Sequence, residues 1–195
     1  MTTSSPDLAV RISGAAKKKQ LQAIDAPVSG GDTGARLGTL SIMAGGDRKD
    51  IEDMKPVFEI LGKSINYMGP AGSGQHTKAA NQIIVAGNTA AYTEALIYAQ
   101  EAGIDPDLMM KAVSGGAAGS WQIDNMAPRV RKGDFEPGFF IKHFIKDMKI
   151  AKEEMEKNGK ELKVLNEVLS MYEKLAEEGY ENLGTQALIK YYSEK

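Results

Sequence analysis

Gly72-Ser73-Gly74-Gln75-His76-Thr77-Lys78-Ala79-Ala80-Asn81-Gln82 is the stretch on which the reading of this chain turns. Beyond its two glycines no proline occurs through residue 102, and small and apolar positions (Ile83, Ile84, Ala90, Ala91, Leu96, Ile97) recur. Residues 75–102 therefore read as one long helix of about 40 Å at 1.5 Å per residue. Gly103 ends it and Asp105-Pro106 opens the next. Further helices are expected over about 106–114, 119–131, 138–157, 161–178 and 184–193.

Before the stretch the pattern is different. Ser5-Pro6-Asp7 reads as a helix start, running to about Lys19. Leu21–Ile24 is a short strand candidate, broken by Pro27 and Gly30-Gly31. Thr39–Ala44 alternates as a second strand, closed by Gly45-Gly46. Asp47 can cap a helix over about 48–61, and Ser64–Met68 is a third strand, stopped by Gly69-Pro70. The fold class is thus α/β followed by all-α, with a boundary near Pro70 to Gly74 separating domains 1–70 and 71–195. Three strands are few for a self-sufficient α/β domain, and the edge they leave invites a missing or partner strand.

Composition narrows the function. Of 195 residues, 42% are apolar and 26% charged, ordinary for a soluble globular protein, and the net charge of −2 gives no general attraction to nucleic acid or membrane. Lys17-Lys18-Lys19 lies at a helix end, where the dipole favours cations, and reads as a solvated cap. With no cysteine, disulfide and thiolate chemistry are excluded. His76 and His143 are too far apart in sequence to support zinc, so no metal site is expected. No stretch approaches the roughly 20 apolar residues of a membrane span, and Met1–Pro6 is no signal peptide. A soluble, cytoplasmic protein is expected.

Gly72-x-Gly74-x-x-Thr77 imitates a dinucleotide fingerprint, but the third position is Thr and a long helix follows rather than a βαβ unit. Gly69-x4-Gly74 fails as a phosphate loop because Gln75-His76 replaces the required Lys-Ser or Lys-Thr. Lys78 carries more. Asn81 and Gln82, three and four residues on, share its helix face. Partial desolvation beside two neutral amides would bring a lysine toward use as a general acid; the plain alternative is an exposed helix lysine. In Ser29-Gly30-Gly31, adjacent glycines let backbone N–H groups converge on a carboxylate and Ser29 adds a hydroxyl; the plain alternative is a tight turn.

Taken together, Asp25-Ala-Pro-Val-Ser-Gly-Gly31, Gly34-Ala35-x-x-Gly38-Thr39-Leu40, Met43-x-Gly45-Gly46, Gly72-x-Gly74-x-x-x-Lys78 and Lys146-Asp147 resemble the β-hydroxyacid dehydrogenase family. That group includes 3-hydroxyisobutyrate dehydrogenase and tartronate semialdehyde reductase, and is 6-phosphogluconate dehydrogenase-like. The resemblance covers essentially the whole chain, in the family's motif order. It implies a Rossmann-type domain, here partial, followed by a helical substrate domain that packs against its counterpart in a homodimer or higher homo-oligomer. It also implies an NAD or NADP cofactor and a small hydroxy-acid or semialdehyde substrate. Lys78 would be the catalytic acid/base, Ser29, Gly30 and Gly31 would hold the substrate carboxylate, and Asn81 and Gln82 would assist. Thr2, Lys146 and Asp147 would lie against the cofactor. Some members carry asparagine where Gln82 stands, so which amide touches substrate stays open. The family's amino-terminal glycine fingerprint is absent, and the chain is expected to be a truncated form, inactive or nearly so alone. Two other readings stand beside the enzyme: a non-catalytic helical dimerisation and substrate-binding module, and a carboxylate binder using the Ser29–Gly31 loop.

Overall fold

Short extended runs bounded by glycine can satisfy their backbone groups by pairing with one another. In this computed structural model, which describes residues 1–193, three of them do so. The central strand β2 (Leu40–Gly45) lies between a two-residue strand β1 (Val28–Ser29), antiparallel to it, and β3 (Gly62–Gly69), parallel to it. A parallel pair needs a crossover, supplied by α3 (Arg48–Leu61). Ile42 faces Ile65 across the parallel pair. The core here is Ala26, Leu40, Ile42, Ala44, Ile51 and Phe58. These elements belong to one compact unit, Met1–Gln82.

Local chemistry explains where this unit departs from expectation. Leu21–Ile24 forms no strand. Pairing begins at Asp25, which exchanges both backbone hydrogen bonds with Gly45 (3.0 and 2.8 Å), and continues where the Pro27 carbonyl accepts from Met43 N at 3.0 Å. Proline has no N–H to give but tolerates an edge strand, so pairing runs across Pro27 instead of stopping there. A short helix, α2 (Gly31–Leu37), follows β1 where only a turn was expected. It is supported by an Asp32–Arg36 pair at 2.6 Å and closed by Gly38 at φ +62°. The first helix, α1 (Pro6–Lys17), is capped as its sequence predicts, the Ser5 Oγ accepting from Leu8 N at 3.1 Å. Asp47 occupies the N-cap position of α3, but its carboxylate pairs with Lys17 at 3.0 Å instead of bonding the helix backbone.

The long helix α4 (Ser73–Glu101) gives its residues through Gln82 to this unit and the rest to a second unit beginning at Ile83. The second unit adds α5 (Pro106–Val113), α6 (Trp121–Asn125), α7 (Ala127–Arg131), α8 (Ile141–Lys157), α9 (Lys163–Glu177) and a 3₁₀ helix, Thr185–Tyr192. Residues 119–131 thus form two helices. Pro128, in the first turn of α7, has no N–H for a helix passing through Met126. One apolar cluster gathers Tyr92, Leu96, Met110, Ile123 and Ala127. Elsewhere in the unit the rings of Phe144 and Tyr172, both fully buried, meet edge-on at 5.2 Å. The Tyr172 hydroxyl donates to the Thr185 carbonyl at 2.7 Å and fastens the 3₁₀ helix. Among the described residues no helix is long and apolar enough to cross a membrane, and no group of three or more metal-ligating His, Cys, Asp or Glu occurs.

Candidate active site

A helix begins with backbone N–H groups that have no partner within it. At the start of α4 Asp25 answers two of them: Oδ1 accepts from Gly72 N at 2.8 Å and Oδ2 from Gln75 N at 2.9 Å. A carboxylate also suits the positive end of the helix dipole. The approach is so close that only glycine fits around it. A Cβ on Gly74 would lie 2.6 Å from the Asp25 carbonyl oxygen and 2.8 Å from its Oδ2. Asp25 is four residues ahead of Ser29, so this capping ties the start of the predicted substrate loop to the first turn of α4.

Gln75 is 3% exposed and spends its amide on backbone far away in sequence. Its Oε1 accepts from Ser4 N at 3.0 Å and its Nε2 donates to the Thr2 carbonyl at 2.9 Å. Three residues further along the helix, Lys78 is 8% exposed, and Gln82 is 2% exposed. Asn81 is half-buried and donates through Nδ2 to Gln82 Oε1 at 2.7 Å. The two amides that spacing placed beside Lys78 are therefore joined to each other. His76 points outward and is exposed.

Ser29 ends β1, and Gly30 (φ +129°) and Gly31 (φ +62°) turn the chain into α2. Side chains rarely adopt such φ values, so the glycines are needed for this turn. The turn leads directly from Ser29 into the first turn of α2.

Lys146 and Asp147 lie in α8 of the second unit, whereas Thr2, Ser29, Gly30, Gly31, Lys78, Asn81 and Gln82 all lie in the first. Asp147 is 2% exposed and holds the half-exposed Lys146 ammonium at 2.9 Å. Sequence reasoning gave no role to Asp25 or Gln75. Their partners lie 47 to 73 residues away in sequence, and no local signal marks either residue.

Comparison with known proteins bears on this arrangement. Residues 72–192 match the family described as NAD-binding of NADP-dependent 3-hydroxyisobutyrate dehydrogenase. Residues 1–69 match the NAD binding domain of 6-phosphogluconate dehydrogenase. An uncharacterized oxidoreductase of Bacillus subtilis, YkwC, is 53% identical over 98% of this chain and 67% of its own length. The 2-hydroxy-3-oxopropionate reductase of Escherichia coli is 51% identical over 66% of this chain and 44% of its own length. The solved structure of Mycobacterium tuberculosis 3-hydroxyisobutyrate dehydrogenase with L-serine superposes with a TM-score of 0.91 at 27% identity, covering 98% of this chain and 68% of that one. The chain therefore spans about two thirds or less of the length of these relatives.

Proposed function

Because the chain belongs to the β-hydroxyacid dehydrogenase family, we propose that it serves the NAD(P)-dependent interconversion of a small 3-hydroxy acid and its semialdehyde. The observation that carries this reading is Lys78, 8% exposed on the second turn of a helix whose start is clamped by Asp25. A buried ammonium beside neutral amides is the setting in which lysine exchanges a proton with substrate. Lys78 would take the hydroxyl proton in oxidation and return it to the nascent alkoxide in reduction. Ser29, Gly30 and Gly31 would hold the substrate carboxylate, and the joined amides of Asn81 and Gln82 would orient the hydroxyl. The bound nicotinamide would accept or supply the hydride at the hydroxyl-bearing carbon. Thr2 and, separately, Lys146 and Asp147 would each contact the cofactor.

These 195 residues contain no Gly-x-Gly-x-x-Gly between a strand and a helix, so the isolated polypeptide is expected to turn over little or not at all. Supplied with a cofactor-binding segment, it should become active. Lys78→Ala should then lower kcat by about 10²- to 10⁴-fold, the range of a positioned acid–base group, with cofactor affinity unchanged. Turnover that survives Lys78→Ala would overturn the reading.

The second unit supports self-association. Ile84 and Tyr98 of α4 are 63% and 75% exposed. Ala91, Ala95 and Ala99 share a groove of about 580 Å³ with Tyr98, Ile104 and Met109. We infer a homodimer through this face. Light scattering should give a mass of two chains, and a single-chain mass at micromolar concentration would sink the inference.

A further inference from the structure

Gln75 sits where three parts of the first unit meet. Its backbone N–H is held by Asp25 Oδ2, its side-chain oxygen receives the Ser4 N–H, and its side-chain nitrogen reaches the Thr2 carbonyl. The orientation of the amide is forced, because a backbone N–H can only donate and a carbonyl can only accept. Both bonds cross more than seventy residues of sequence, and the side chain is 3% exposed. One helical turn later stands Lys78. We propose that Gln75 is a positioning residue that fixes the Thr2–Ser4 segment in register with Lys78.

This rests on the reading of Lys78 as the proton-transfer group and Thr2 as part of the cofactor surface. Hydride and proton transfer act on the same carbon–oxygen unit, so the groups that place cofactor and proton must be set against one another to a fraction of an ångström. Burial supplies that precision. Swinging Thr2–Ser4 away would strand a buried amide with no partner on either side. Asp25 extends the device, because it fixes the backbone of Gln75 as Gln75 fixes Thr2 and Ser4.

Gln75→Met keeps length and volume and removes both bonds. In the 195-residue polypeptide, amide exchange at Ser4 should accelerate about fivefold or more, the loss of one hydrogen bond of ordinary strength. Exchange at Ile42 and Ala44 in the sheet should not change. In the protein supplied with a cofactor-binding segment, kcat should fall on the order of 10- to 100-fold. The cofactor KM should rise, and the hydroxy-acid KM should stay within about twofold. A merely structural role would lower the amount of folded protein and leave both KM values alone. Unchanged Ser4 exchange, or a wild-type kcat and cofactor KM, would overturn the proposal. If Gln75→Met does not fold, Gln75→Glu preserves the acceptor for Ser4 and removes the donor to Thr2; Ser4 exchange should then stay near wild type while kcat falls and the cofactor KM rises, and a wild-type kcat and cofactor KM would overturn the proposal. Lys78→Ala in the same assay separates the two ideas. Turnover surviving Lys78→Ala ends the acid–base reading whatever Gln75 does, whereas a dead Lys78→Ala beside a normal Gln75→Met ends this one alone.

Discussion

Residues 1–82 and the helical unit that follows are held together by different means. The first unit has a small apolar core of Ala26, Leu40, Ile42, Ala44, Ile51 and Phe58, and beside it a polar node in which Asp25 and Gln75 join three backbone segments. The second unit relies more on large side chains: Phe144 and Tyr172 stack edge-on, and Ile141, Met148, Leu165, Leu175 and Leu188 are fully buried, with one buried amide, Gln186, donating to the Asp134 and Glu136 carbonyls. Apolar packing is tolerant of shape and repacks after a change in volume. A polar node is not, because each buried donor or acceptor that loses its partner costs about 1–3 kcal/mol. The proposed chemistry lies beside the intolerant region. A group that must be placed to a fraction of an ångström is better held by directional bonds than by packing alone.

Gly74→Ala tests that contrast with the largest expected effect on stability. Its Cβ would collide with the carbonyl oxygens of Met43 and Asp25 and with the Asp25 carboxylate. Two of these are backbone atoms, which cannot swing aside. A cost of about 3 kcal/mol is expected, at the upper end for overpacking. Peptide-resolved hydrogen exchange should show protection lost across the sheet of the first unit, with the peptides bearing Phe144 and Tyr172 retaining theirs. Equal loss in both units would break the comparison, because the two would then unfold as one.

How much of this was legible in the sequence follows the same divide. Features fixed by near neighbours were readable. Ser5 caps α1 three residues ahead of Leu8, the long helix after Gly72 has the expected extent, and the 3.6-residue period put Asn81 and Gln82 on the face of Lys78. Features fixed by distant partners were not. The first strand was expected at Leu21–Ile24, but Gly45 and Met43 recruit Asp25 and Pro27 across some twenty residues, and nothing local to Pro27 announces that its carbonyl will be used. Helix α2 hides behind four glycines in nine residues (Gly30, Gly31, Gly34, Gly38), a composition that opposes helix; its one local sign was the Asp32–Arg36 spacing. Asp47 was rightly placed at a helix start, yet Lys17 claims its carboxylate. The site divides likewise. Spacing put two amides on the helix face of Lys78 but did not single it out without the Ser29–Gly31 loop and the Gly-x-Gly-x-x-x-Lys motif, whereas the Gln75 bonds to Thr2 and Ser4 belong to the folded chain alone.

A smaller effect sharpens the comparison from the other side. Burial pushes the phenol of Tyr172 well above its usual value, with Tyr92 nearby adding to it, and burial raises Tyr92 as well. The first unit's one tyrosine, Tyr67, is 38% exposed. A folded-state pKa above the unfolded one means that stability is fully present below the unfolded value of 10.0 and is lost as pH rises beyond it. Alkaline unfolding should therefore strike the second unit, at about 1.4 kcal/mol per buried phenol for each pH unit above that value. Tyr172→Phe isolates one phenol. At pH near 8 the variant should be less stable by about 1 kcal/mol, having lost the bond to the Thr185 carbonyl. By pH of about 11 the wild-type chain bears the cost of keeping that phenol neutral and the variant does not, so the two should agree within about 0.5 kcal/mol. Urea titrations at the two pH values measure this. A gap that stays at its pH 8 size would mean that the phenol ionises as readily folded as unfolded, and the dry aromatic centre assigned to the second unit would have to be given up.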